Sequence, residues 1–417
     1  MSALHQQVTH DTLPSRLAQL GRALEQRFLG KDEVIRLLLV ATIAGEHAVL
    51  IGPPGTAKSA LIRTFARLLH ARYFEYLLTR FTEPNEIFGP VDIAAFREGR
   101  YERRIEGMLP EAEIVFLDEV FKSNSAILNS LLTLLNERRY TSGGVALRCP
   151  LLSAFGASNE VPGDDTLTAI YDRFILRIRN ENLDAYHFQD LLQKGLELEL
   201  SAASDGSASP TLGGSAAPAG AAGAAVSPSV AGLVSARELA EVQRGLLQRT
   251  RFSEEFFSLY KGLVFQIRAE GVTLSDRRVV KLLKLFAASA YLDGRAQPDA
   301  GDLFVLKHTW NSEDQSQILE AIVAPVLESH YRDHPEQRRV GAVGVGIEAL
   351  AGEIDRVRQV LTGAGGLSDL QLFSQLKALS EIKTALASSS DARAKELIGR
   401  VDQLLEAAFR SGRFAQL

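Results

Sequence analysis

Residues 52–59 read Gly52, Pro53, Pro54, Gly55, Thr56, Ala57, Lys58 and Ser59, between an apolar run, His47–Ile51, and a helical pattern that starts at Lys58. Backbone N–H groups along such a turn converge on phosphate oxygens, and the following helix adds the positive end of its dipole. Lys58 has the reach for a β- and γ-phosphate, and Ser59 can set its hydroxyl on Mg²⁺. The general phosphate-loop pattern has glycine where this chain has Ala57. Taken alone, the segment reads equally well as a turn that only caps a helix.

Glu113–Val120 settles the matter by pairing with it: an apolar run, Ile114–Leu117, ends in Asp118 and Glu119. In an open α/β sheet the carboxyl ends of the strands are where ligands bind. Asp118 there would hold Mg²⁺ through water, and Glu119 would orient and polarise an attacking water. Both tasks call for oxygen acceptors beside a hard cation. An acidic strand end by itself is more simply a solvated terminus or a helix cap. Phosphate loop and acidic strand together point to a nucleoside triphosphate, ATP, with Mg²⁺.

The elements that must position these groups are readable from periodicity. Residues 14–46 show two helical patterns, and strands are predicted at Tyr73–Leu78, Ile114–Leu117, Leu151–Ala157 and Phe174–Ile178. Helical patterns such as Ala126–Arg138 separate them, so the class is α/β: a three-layer αβα sandwich on a parallel sheet. Two hairpins are predicted, one at 91–105 around Arg97-Glu98-Gly99 and one around Gly143-Gly144. Residues 201–232 are almost wholly Ala, Gly, Ser and Pro. They bury too little to offset ordering and read as a flexible linker, spanning roughly 30 Å as a random coil. Helical patterns follow. The expected domains are a nucleotide-binding domain at 1–198, a linker at 199–233, an all-α lid at 234–332 and a C-terminal helical region at 333–417. In that last region Ile347, Leu350, Ile354, Val357 and Leu361, then Leu372, Leu376, Leu379 and Leu386, then Leu397, Val401, Leu404 and Ala408, recur in the spacing of a small bundle.

Composition narrows the function. The net charge is −5 and carries no basic excess, which disfavours a protein whose main task is gripping nucleic acid. The lone cysteine, Cys149, has no partner for an intramolecular disulfide. The N-terminus lacks the pattern of a signal peptide, and the longest apolar run, near Leu37–Ala44, is too short for a membrane span. A cytoplasmic location is expected.

At this point the motifs become specific. The chain resembles the MoxR family of AAA+ ATPases, and most closely its RavA (regulatory ATPase variant A) branch. The resemblance covers roughly the first 330 residues, and its stretches include GPPGTAKS at 52–59, RFTEPNEIFGP at 80–90, LPEAEIVFLDEVFK at 109–122, ASNEVP at 157–162, YDRF at 171–174 and SDRR at 275–278. Alanine is common in the family at the position of Ala57. The resemblance implies ATP hydrolysis with Asn159 as first sensor, Arg173 as the arginine finger offered to a neighbouring subunit, and Arg277 as second sensor closing the lid on the phosphates. Arg138 rivals Arg173, and Arg278 rivals Arg277. Gly30 and Lys31 match the segment along the adenine. The predicted hairpin at 91–105 matches an insert that lines the ring pore in relatives, with Tyr101, Arg103 and Arg104 as candidates for touching a client.

The family implies a homo-oligomer, a hexameric ring, with chaperone-like remodelling or maturation of partner complexes. It also implies a partner bearing a von Willebrand factor A domain; the client itself is not readable. Two alternatives remain: the ATPase subunit of a metal chelatase-like system, and a nucleotide-gated scaffold.

Overall fold

The computed structural model describes residues 12–162, 167–182, 233–334, 337, 347–362, most of 375–386 and 393–410. The predicted linker at 199–233 lies, but for Leu233, outside the described residues. The chain forms two compact units, one holding the residues up to 182 together with those up to 333, the other holding the described residues from 334 onward.

In the first unit, α1 (Leu13–Arg27) and α2 (Asp32–Ala44) lead into β1 (His47–Ile51), α3 (Lys58–Leu68) and β2 (Tyr73–Leu77). Short helices α4 (Pro84–Phe88) and α5 (Ile93–Arg97) precede β3 (Ile114–Asp118) and α6 (Ser125–Glu137). A hairpin of β4 (Arg139–Ser142) and β5 (Val145–Arg148) leads to β6 (Ser153–Ser158), α7 (Thr168–Tyr171) and β7 (Phe174–Arg179). The sheet has five strands in the order β2-β3-β6-β1-β7, all parallel. β1 and β6 are buried along their whole length, as expected of strands covered on both faces. Phe65 of α3 meets Phe155 of β6 edge to face, with ring centres 6.2 Å apart.

The lid follows as α8 (Ala236–Arg249), α9 (Glu254–Ala269), α10 (Asp276–Leu292), a 3-10 stretch Ala300–His308 and α11 (Glu313–Asp333). Helix α2 is buried at every position from Val34 to Ala44 except Arg36, which is why its sequence lacks a polar stripe. Arg36 reaches the lid, donating to both carboxylate oxygens of Asp293 at 3.1 and 2.9 Å. Glu46, just before β1 and only 3 % exposed, accepts from Lys281 and Lys284 of α10 at 2.9 and 3.0 Å. His47 beside it is buried. Its Nδ1 accepts from the Ala154 N–H, so its Nε2–H faces the Leu135 carbonyl, 3.0 Å away.

The predicted hairpin at Gly143-Gly144 forms. The one at 91–105 does not. Asp92 caps α5 instead, its Oδ1 accepting from the N–H groups of Ala94 and Ala95. Gly99, expected as a hairpin turn, has φ +79° and ends the helix, its N–H donating to Phe96 O at 3.0 Å. A single antiparallel bridge, Val91 to Arg103, is what remains of strand pairing there.

In the second unit, Leu350, Ile354 and Val357 of α12 (Ile347–Thr362) cluster with Leu379, Ile382, Leu386 and with Leu397 and Val401 of α13 (Ala394–Arg410). That is the apolar seam the sequence spacing predicts. Among the described residues no helix is long and apolar enough to cross a membrane.

Candidate active site

The parallel topology brings the carboxyl ends of β1, β3, β6 and β7 to one edge of the sheet. Gly52, Asp118, Asn159 and Asn180 therefore gather there from distant parts of the sequence.

The loop at 52–59 leaves β1 and enters α3. Its first N–H, from Gly52, donates to Ser158 O at 3.1 Å, tying it to the end of β6. A side chain at Gly52 would fall 2.2 Å from Asn180 O, so the close approach of β7 demands glycine. Ala57, at the N-cap of α3, has φ +60° and ψ +23°. Glycine adopts that left-handed conformation freely, while an L-residue carries a cost of roughly 1–2 kcal/mol. The sequence departure at Ala57 is thus a real strain, held by its surroundings. Lys58 Nζ donates to Gly52 O at 2.7 Å and Pro53 O at 3.0 Å, inside the loop's curve. Burial lowers the pKa of Lys58, against an upward pull from Asp118 and Glu119.

Glu119 follows β3 with φ +51°, a second left-handed non-glycine residue. Strain of this kind persists where the surrounding structure enforces it, and it clusters at working sites. The carboxylate of Glu119 is fixed by neighbours: Asn159 Nδ2 donates to its Oε1 at 2.7 Å, and Lys122 lies 3.2 Å from its Oε2. The Glu119 N–H donates to Asp118 Oδ1 at 3.0 Å. Asn159 and Glu119 are therefore paired, with the two carboxylates and Lys58 in one electrostatic neighbourhood. Among the described residues no set of three or more His, Cys, Asp or Glu side chains forms a metal site by itself. Ser59 and Asp118 offer two hard oxygens, which suits Mg²⁺ arriving on a nucleotide and keeping most of its other ligands.

Asn180 is a residue the sequence reading missed. It is 1 % exposed at the end of β7, and its Nδ2 donates to Thr56 O at 3.1 Å and Thr56 Oγ1 at 2.9 Å. Its Oδ1 is buried without a hydrogen-bond partner. The only sequence signal was a polar residue closing a buried strand. Lys31, expected near the base, is buried with its Nζ on Glu181 O at 2.6 Å, and Gly30 before it has φ +62°. The side chain of Lys31 thus braces the strand end.

The arginines divide sharply. Arg138 is bonded within its own chain: its guanidinium binds the carbonyls of Gly45 and Leu152, at the amino ends of β1 and β6, the edge opposite the loop. Arg278 is buried, donating to Thr309 O at 2.6 Å and Asn311 Oδ1 at 2.7 Å, and burial pushes its pKa down to about 9. It is a structural tie of the lid. Arg173 lies 3.6 Å from Asp172, and its Nε is buried without a partner. Arg277 donates to Asn136 Oδ1 at 2.9 Å, at the end of α6. Burial and then the charge of Arg277 lower the pKa of Arg173, so the two outward arginines are neighbours. Within its own chain Arg277 thus bonds α6; no bond to the phosphate loop occurs among the described residues.

In the insert, Arg103 donates to Asn85 Oδ1 and Gly89 O, each at 2.6 Å, and Arg104 to Asp92 Oδ2 at 3.0 Å. Both are spent on local structure. The exposed large hydrophobic side chains there are Phe81 (83 %), Ile93 (65 %) and Phe96 (60 %), with Tyr101 half exposed.

Comparison with known proteins agrees with this geometry. Residues 15–211 match the model of the MoxR domain in the MoxR-vWA-beta-propeller ternary systems, and residues 259–323 match an AAA lid domain. An uncharacterised protein of Methanocaldococcus jannaschii is 33 % identical over 87 % of this chain and 89 % of its own length. Chaperone MoxR1 of Mycobacterium tuberculosis is 28 % identical over 33 % of this chain and 37 % of its own. The crystal structure of a candidate ATPase from Cytophaga hutchinsonii shares the fold, with TM-score 0.56 and 18 % identity over 76 % of this chain and 94 % of that one. With a parallel α/β core, a helical lid, a phosphate loop facing an Asp118–Glu119 pair, and these relatives, the chain belongs to the MoxR family of AAA+ ATPases.

Proposed function

We propose that this chain hydrolyses Mg-ATP as an oligomer and couples hydrolysis to chaperone-like remodelling of partner protein complexes. The observation that carries the reading is the 2.7 Å hydrogen bond from Asn159 to Glu119, beside a phosphate loop whose lysine feels both Asp118 and Glu119. A carboxylate so oriented, at a strand end, is built to hold a water in line with a γ-phosphate. The loop N–H groups from Gly55 to Ser59 bind the phosphates, and Lys58 leaves its carbonyl partners for the β- and γ-oxygens. Ser59 and Asp118 would hold Mg²⁺, which would supply charge neutralisation at the phosphates. Glu119 polarises the water, and Asn159 fixes the rotamer of Glu119.

Arg173 serves a neighbouring subunit's nucleotide. Its unpartnered Nε and its like-charged neighbour Arg277, with Asp172 the one carboxylate paired with Arg173 among the described residues, support that reading. A finger supplied across a heterologous interface implies ring closure, and a hexamer is our reading. The ternary systems in the matched family model support a partner with a von Willebrand factor A domain. The exposed Phe81, Ile93 and Phe96 supply the apolar contact for a client.

Steady-state hydrolysis tests the core of this reading. Lys58→Ala and Glu119→Gln should each lower turnover by about 10²–10⁴-fold. Wild-type turnover in both variants would end it.

A further inference from the structure

A second concave site lies at the opposite edge of the same sheet. A cleft of about 440 Å³ opens where β1 and β6 begin, between the core residues Arg138, Arg148 and Leu151 and the lid residues Gln243, Arg244 and Lys284. The strands separating it from the phosphate loop are five and six residues long, which places the two sites on the order of 17–20 Å apart.

Its charge is one-sided. No carboxylate lines it. Glu46, buried behind it, is already shared between Lys281 and Lys284. Arg138 is held on two backbone carbonyls, which aim its guanidinium without neutralising it. Arg148, exposed at the end of β5, makes no ion pair among the described residues, and its charge bears on Arg138. Arg244 donates Nε to Ala240 O of its own helix, at 3.1 Å. The carbonyls that would repel an anion here are taken: Arg138 covers Gly45 and Leu152, and Gln243 Nε2 donates to Thr42 O at 2.6 Å and Leu152 O at 3.3 Å. What remains facing the cleft is a set of cationic donors with an apolar wall at Leu151. Arg138, Arg148 and Arg244 carry like charges around one hollow, that of Lys284 being offset by Glu46, and a bound anion relieves their repulsion.

We propose that this cleft binds a small phosphate-bearing anion, gripped by Arg148 and Arg244 with Lys284 beside them and Arg138 behind. Guanidinium forks match phosphate oxygens two at a time, and the volume falls within the range of small-molecule sites, whereas a macromolecular anion is met on a broader surface. Because Arg138 and Arg148 belong to the core and Arg244 and Lys284 to the lid, the ligand bridges them. It would fasten the lid to strands whose far ends carry the phosphate loop and Asn159. The site is therefore a place for a phosphorylated metabolite to bias the nucleotide site from behind.

Calorimetric titration with pyrophosphate tests this, with the phosphate loop filled by a non-hydrolysable Mg-ATP analogue and, separately, without nucleotide. One saturable site is expected to persist with the analogue present. Arg148→Glu with Arg244→Glu should weaken it roughly ten-fold or more, and neutral Arg148→Gln by a smaller factor. The same charge change made elsewhere, Arg97→Glu with Lys261→Glu, should leave affinity unchanged. Absence of saturable binding, or equal weakening by the control pair, overturns the proposal. So does a hexaglutamate peptide binding as tightly as pyrophosphate with the same dependence on Arg148, since that assigns the cleft to an acidic peptide. None of these outcomes depends on whether the chain hydrolyses ATP.

Discussion

The two edges of the central sheet are built on opposite rules. Around Glu46 and His47, at the amino ends of the strands, partners are complete. Glu46 meets two lysines, both ring nitrogens of His47 face partners, and Ser153 Oγ donates to Glu46 O at 2.6 Å. At the carboxyl ends the groups are left with slack. Ala57 and Glu119 hold left-handed backbones, and Asn180 Oδ1 is buried without a partner. Buried polar atoms are nearly always paired, so unpaired ones in a native fold call for a reason. The reason here is a change of partner: the pairs around Glu46 and His47 fasten the lid, and the carboxyl ends are arranged for a nucleotide that comes and goes.

The difference can be broken most severely at Arg173. Arg173→Ala should cost about 10³–10⁵-fold in turnover while each subunit folds normally. Mixing Arg173→Ala with Glu119→Gln subunits should restore part of the activity, because some interfaces then combine an intact Arg173 with an intact Glu119. Activity unchanged by mixing would place the arginine's effect within one chain.

The fixed edge responds in stability instead. Glu46→Gln leaves Lys281 and Lys284 facing a neutral group and should cost about 3 kcal/mol in unfolding free energy, with hydrolysis at low temperature retained. The pH profile sharpens this. Burial pushes His47 down to about 4 from 6.5, so the unfolded chain takes up that proton first and stability falls as pH drops from 6.5 toward 4. Burial alone would raise Glu46, but Lys281 and Lys284 overcome it and hold the carboxyl below 4.5, so a further loss begins under that pH. Thermal unfolding followed against pH should show both phases in the wild type and only the His47 phase in Glu46→Gln.

The smallest effect is at Asn180, which links the edges' logic by bracing the loop from a neighbouring strand. Asn180→Ala should weaken nucleotide binding by about 1–2 kcal/mol, read as a raised KM with kcat little changed.

Much of this was legible beforehand because it depends on short, contiguous patterns. The loop at 52–59 and the strand ending in Asp118 are each one local motif, and the parallel topology follows from alternating strands and helices. What escaped depended on geometry between distant segments. Asn180 matters only because β7 lies beside β1, a pairing that no spacing announces. Arg138 and Arg173 each follow a helix, and only the fold shows that one is spent on Gly45 and the other is not. The hairpin at 91–105 was misread because Arg97-Glu98-Gly99 suits a turn and a helix end alike, and the Asp92 cap decides between them.

The central claim is that a triphosphate and its Mg²⁺ are held between Lys58 and Asp118. Titration of the purified chain with ATP, in the presence and absence of Mg²⁺, tests it most directly. Affinity should rise with Mg²⁺ in the wild type, lose that increment in Asp118→Asn, and fall steeply in Lys58→Ala. An affinity indifferent to Mg²⁺, or equal in wild type and Lys58→Ala, would contradict it.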